Sequence, residues 1–212
     1  MEEVTYDEML EMASLGAKVL HSRCVEIAKK YGVELLVCSS LNRNSGTMVR
    51  EKTKMEKMLI SGVAADKNVA KIRVAGLGND PESTFRLLNL LDRNNLNIDV
   101  MIQSLGKDGT KSVSFTVAKP DMLRTIDVLN DNKDLLGIKK LDYDENVAKI
   151  SVIGAGVRSH SGVAAKMFGA LANAGINTEM VTTSEIRITA LIDEAYADQA
   201  MRAIHETFLE RV

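Results

Sequence analysis

Two short stretches carry the residue types and spacing that do chemistry. "VAKISVIGAGVRSHSG", Val147 to Gly162, runs an alternating β-branched segment into Gly154-Ala-Gly156 and then into helix-like text. "VAKIRVAGLGNDPEST", Val69 to Thr84, does the same with Gly76-Leu-Gly78. A glycine turn between a strand end and a helix start leaves backbone N–H groups free, and the helix dipole favours negative charge there. Such a turn is suited to an anion. A dinucleotide phosphate is one candidate. That site needs a third glycine and a crossover to a parallel strand. The first copy has Pro81-Glu82 instead of a third glycine, and the text after each helix reads as an antiparallel hairpin. A small carboxylate therefore fits these turns better than a pyrophosphate.

The elements that must position these turns are written twice. Val69-Ala-Lys-Ile returns at Val147, and Leu96-Asn-Ile-Asp99 returns as Ile176-Asn-Thr-Glu179. Such self-similarity marks a duplicated supersecondary unit. In the first copy, Val69 to Val74 alternates as a strand. Pro81 opens a helix, where its missing donor is harmless, and Phe85, Leu87, Leu88, Leu90 and Leu91 form its apolar stripe. "LNIDVMIQSL" and "KSVSFTVA" are strands joined by "GKDGT", a hairpin turn. "KPDMLRTIDVLND" is a second helix and "LGIKKLDY" a closing strand. The order β-α-β-β-α-β is that of a ferredoxin-like unit. The second copy repeats it, with strands Val147–Ile153, Asn177–Thr182 and Ile186–Ile192 and helices near 161–174 and 195–208. No text remains after it for a fourth strand. "MLISGVAADK" supplies one from upstream, so the first unit is expected to be inserted in the second.

Residues 1–49 read differently. "DEMLEMASLGAKVLHSRCVEIAKKYG" is two helices meeting near Gly16, "VELLVCSS" a buried strand, and "REKTKMEKM" a charged linker. Two helices and one strand are the edge of an α/β sheet, which needs a partner to cover it. The expected division is 1–49, a linker 50–57, a first unit 67–145, and a second unit from 58–66 plus 146–212.

Composition removes several classes of function. The 212 residues are 45 % apolar with a net charge of −2, which gives no electrostatic pull towards nucleic acid or anionic lipid. RNA-binding domains of the same β-α-β-β-α-β order need aromatics on their central strands, and only Phe115 falls on a candidate central strand. No apolar run spans a bilayer, and the acidic N-terminus is not a signal peptide. Cys24 and Cys38 read as buried reduced thiols of a cytoplasmic protein. His21, His160 and His205 are too scattered for a metal site.

The duplicated "VAKI…GxG…LNID", with "GAGVRSHSGVAAKMFGALANAGIN" and "TTSEIRI", resembles the tandem ACT domains of the aspartate kinase family. "YDEMLEMASLGAKVLHSRCVEIAKKYGVELLVCSS" is similar to the last part of that family's amino-acid-kinase domain, with Ser22 where the family usually has Pro. The resemblance implies an α+β fold: two ferredoxin-like ACT units, the first inserted in the second, after a partial kinase-domain tail. It also implies the regulatory part of an enzyme that phosphorylates L-aspartate with MgATP, the first step towards lysine, threonine and methionine. No nucleotide or aspartate motif of that family is present, so no catalytic residue, metal ligand or cofactor is expected in this chain, and it is expected to be inactive alone.

Sensing an amino acid requires groups for a carboxylate and for an ammonium. The loop Asn79-Asp80-Pro81-Glu82-Ser83-Thr84 offers a helix start, and Asp99 and Gln103 in the next strand offer oxygens at the same edge. The resemblance adds Asn177, Thr178, Ser184 and Glu185 on the second unit. Its implied effectors are L-lysine and/or L-threonine, and its implied partners a second copy and the catalytic domain. The family often has Asp at Asn79 and Gly at Glu82, so a purely structural dimerisation module is the rival reading. Read alone, Asp99 and Gln103 are solvated strand residues, Ser184-Glu185 is a hairpin turn, and Asp80 or Ser83 is a helix cap.

Overall fold

The computed structural model describes residues 1–17, 19–41, 46–52 and 60–209. Met55, Met58, most of the expected linker and part of the loop after Ser40 lie outside the described residues. The elements run β1 (Glu3–Thr5), α1 (Tyr6–Ser14), α2 (Ser22–Tyr31), β2 (Leu35–Val37), β3 (Thr47–Arg50), β4 (Gly62–Leu77) and α3 (Pro81–Arg93). β5 (Met101–Leu105), β6 (Lys111–Ala118), α4 (Met122–Asp131), α5 (Lys133–Leu136) and β7 (Lys140–Ile153) follow. α6 (Gly156–Ser159), α7 (Val163–Asn173), β8 (Met180–Thr183), β9 (Arg187–Asp193) and α8 (Ala197–Leu209) come last among the described residues.

Two compact units form, one of residues 68–148 and one of 1–67 with 149–212. In the first, the strands lie in the order β5-β6-β4-β7. β6 is antiparallel to both β5 and β4, and the β4 pairing shifts register between Ala75 and Leu77, at Gly76. Gly76 has φ +92°, and a Cβ there would strike the Lys139 side chain. The glycine lets the strand bulge there and resume its pairing at Leu77, opposite Lys111. Ile72, Leu87, Leu91, Phe115 and Leu129 form the core, all fully buried or nearly so. Phe115, with no exposed surface, is a core residue and not a base-stacking platform.

In the second unit the ferredoxin-like strands run β4-β7-β9-β8, with β8 antiparallel to β9. Ile150, Val152, Met167, Leu171, Ile188 and Ile204 are buried there, and the buried hydroxyls of Ser151 and Thr189 satisfy each other at 2.7 Å. The strands read separately in 58–65 and 69–74 are joined where they are described, since β4 runs unbroken from Gly62 to Leu77 and residues 58–59 lie outside the described residues, and the closing and opening strands around 140 and 150 are likewise one, β7. No residue between them forces a break. Gly154 and Gly156 are absent from the left-handed region that Gly76 occupies, so the two glycine turns do not share one conformational cause.

The N-terminal segment of this unit is a three-stranded sheet, β1-β3-β2, carrying α1 and α2. β1 runs parallel and β2 antiparallel to β3. Val4, Tyr6, Met9, Val25, Ala28 and Val49 are its core. Two expectations fail here. β2 is only three residues long and sits at the sheet edge, so Leu36 is 60 % exposed where a buried strand was expected. Cys24 and Cys38 are both exposed. α2 buries the face bearing Val25 and Ala28, which turns Cys24 outward.

Candidate functional site

The start of α3 is built from its own sequence. Pro81 occupies the first turn, where no donor is needed. The Asp80 carboxylate caps the helix, accepting from the Glu82 amide at 3.0 Å. Arg86 reaches the same carboxylate at 3.0 Å and Glu82 at 3.6 Å. Desolvation at the helix start works against the Asp80 charge. The Arg86 guanidinium and the backbone amides outweigh it and hold the carboxyl below its ordinary range. The buried Ser83 hydroxyl lies 2.6 Å from the Gly78 carbonyl, which fixes the loop beneath.

Two side chains from the sheet meet this helix start. Thr84 Oγ1 donates to Gln103 Oε1 of β5 at 2.6 Å. Lys111 Nζ, at the start of β6, donates to the Asp80 carbonyl at 2.8 Å and lies 3.4 Å from Ser83 Oγ. Asp80, Ser83, Thr84, Gln103 and Lys111 are thus brought together, with Asn79 and Pro81 exposed in the same loop. Glu82 is turned along the helix towards Arg86. Asp99 precedes β5 instead of lying in it, and its amide donates to the Thr116 carbonyl. Lys111 was missed because a lysine beside a hairpin turn reads as solvated. Only the antiparallel register, which sets Lys111 opposite Leu77 and Leu105, carries it to the loop.

The four residues expected on the other repeat divide between two places. Asn177 and Thr178 are exposed in the segment between α7 and β8, ahead of the strand expected to contain them. The Ser184 amide donates to the Arg187 carbonyl at 2.7 Å, closing the β8–β9 turn. Glu185 accepts from Arg158 at 2.9 Å across the surface. The hairpin-turn reading of Ser184-Glu185 accounts for the backbone here.

Lys111 and the helix start provide positive potential for a carboxylate. Gln103 Oε1 keeps a second lone pair for an ammonium after accepting from Thr84. Among the described residues no group of three His, Cys, Asp or Glu could hold a metal ion. No helix among them is long and apolar enough to cross a membrane.

Known proteins share this architecture. A model of the ACT domain family matches residues 150–208. An aspartokinase of Helicobacter pylori is 42 % identical over 211 residues, covering 97 % of this chain and 52 % of that protein. The chain therefore spans about half the length of the curated relatives it matches. A crystal structure of aspartokinase alpha and beta subunits is 41 % identical to it, with a TM-score of 0.66, over 70 % of this chain and 98 % of that one. The ligand-free regulatory subunit of aspartate kinase from Thermus thermophilus is 32 % identical, with a TM-score of 0.67, over 71 % of this chain and 99 % of that one.

Proposed function

This chain belongs to the aspartokinase family, as its ACT-bearing regulatory region, and on that premise we propose that it senses lysine, threonine or both. Occupancy would control an attached catalytic domain that phosphorylates L-aspartate with MgATP. Binding energy that differs between two arrangements of the chain shifts their populations, which is all such control requires. A cytoplasmic homodimer joined through its ACT units is the assembly this reading implies.

One observation carries the proposal: the convergence of Lys111, the α3 start and the Thr84–Gln103 pair on one edge of the first repeat. Lys111 and the helix start suit the effector carboxylate, and Gln103 suits its ammonium. The structural rival rests on a different observation. β5 lies at the end of the strand order with Leu105 63 % exposed and Ile102 36 % exposed, an edge that pairing with a second copy would cover.

Calorimetric titration of the full chain with L-lysine and L-threonine, singly and together, separates the two. Saturable heat that disappears in Gln103→Ala supports sensing and names the effector. Absence of heat and of any melting shift at millimolar ligand, with a dimer in sedimentation, supports the structural module instead.

A further inference from the structure

The Gly154-Ala155-Gly156 turn of the second repeat does hold an anion, and the anion is the chain's own Glu8. This carboxylate is 5 % exposed. Its Oε1 accepts from Ser61 Oγ at 2.7 Å and from the Ala155 amide at 3.3 Å. Its Oε2 accepts from the Thr5 hydroxyl at 2.8 Å and the Thr5 amide at 3.1 Å. Four donors from three distant chain segments therefore meet on one side chain, and they lie within one compact unit.

The surroundings leave little room for the two sides to move apart independently. One turn further along α1, Glu11 Oε2 accepts from Arg187 at 2.9 Å. Leu15 packs with Ala64 and Ile153, with Met12 against them. A Cβ on Gly62 would fall 2.8 Å from the Met12 methyl. The seat of α1 on β4 and β7 is thus close-packed and apolar around Leu15, with the buried Glu8 charge at its head and the half-buried Glu11–Arg187 pair beside it.

A buried carboxylate needs all its donors, because leaving a charged acceptor under-satisfied costs more than the bond itself gains. If the turn moves away, Glu8 loses the Ala155 amide in a place water reaches poorly. We propose that Glu8 is a positioning residue that makes the Gly154–Gly156 turn and α1 open and close as one cooperative element. Thr5, which caps α1 and ends β1, then passes any change at the turn into the N-terminal sheet. The proposal does not depend on which ligand, if any, the first repeat binds.

Hydrogen exchange read by mass spectrometry on the full chain tests it. Glu8→Ala is expected to speed amide exchange about tenfold or more in two segments at once, 6–15 and 154–160. Thr5→Ala removes the cap of α1 while leaving Glu8 its bonds to Ser61 and Ala155, so both segments are expected to exchange faster together, and faster exchange in 6–15 alone overturns the proposal. An unchanged 154–160 segment in Glu8→Ala overturns the proposal. Should Glu8→Ala fail to fold, Glu8→Gln decides on the same criterion. It keeps one acceptor oxygen and removes the charge, so both segments must still loosen together, by less.

Discussion

Thr84 Oγ1 donates to Gln103 Oε1 at 2.6 Å, tying the first turn of α3 to the edge strand β5. Both residues are on the surface, so the bond contributes little to folding, on the order of 1 kcal/mol or less. Gln103→Ala is expected to move the melting temperature of the ligand-free chain by only a few degrees. The same change is expected to abolish the heat of lysine or threonine titration. Retained affinity would remove Gln103 from the site.

The Glu8 carboxyl makes stability depend on pH. Burial pushes its pKa up, but the hydrogen bonds from Ser61, Thr5 and Ala155 outweigh that and hold it below the ordinary value. A depressed folded pKa means that the contribution is complete above the unfolded value, about 4.3, and is lost as pH falls through the folded one. Thermal melts of the native chain and Glu8→Gln should differ most at neutral pH and converge in acid. A gap that stays constant down to pH values of about 3 would show that Glu8 is not the titrating group.

Two glycines separate conformational strain from collision. Gly32 ends α2 at φ +65° with nothing near an added Cβ. Gly32→Ala should cost only the left-handed penalty, about 1–2 kcal/mol. Gly16 has φ +99° and an added Cβ would sit 2.5 Å from the Ala65 carbonyl oxygen. Gly16→Ala should therefore lose distinctly more, on the order of 3 kcal/mol or above. Urea midpoints of the two variants check the ranking, and equal losses would mean that α1 is not seated on β4 as described.

Both thiols should react in the folded state. Cys24 and Cys38 are exposed, so a thiol-specific chromophore should titrate both without denaturant. Reaction that waits for unfolding would restore the buried reading of the sequence.

The repeat and its helices were legible because their signals are local. Val69 to Val74 alternates, Asp80-Pro81 marks a helix start, and "GKDGT" marks a hairpin; each became the expected element. What escaped was set by pairing over distance. β1 and β3 are three and four residues long and exist because they pair with each other in parallel, which no window of sequence reveals. The candidate loop was legible down to Asp80 as cap, but Lys111 enters only through strand register. Glu8 had a local signal that went unread: Thr5 and Glu8 form a capping box. Its other partners, Ser61 and Ala155, are remote in sequence and have no local signature at all.

The division into units has a consequence for how the protein is made. The boundaries fall inside β4 and β7, and residues 68–148 are contiguous while the other unit needs both 1–67 and 149–212. During synthesis from the N-terminus, the unit that carries Gln103 and Lys111 has all its residues available first. The unit that carries Glu8 must wait for the last helix. Until then, α1 stands without the Ala155 amide, and its buried carboxylate remains in water. A ribosome-arrested chain with residue 148 already clear of the exit tunnel should protect β6 from exchange while leaving α1 open.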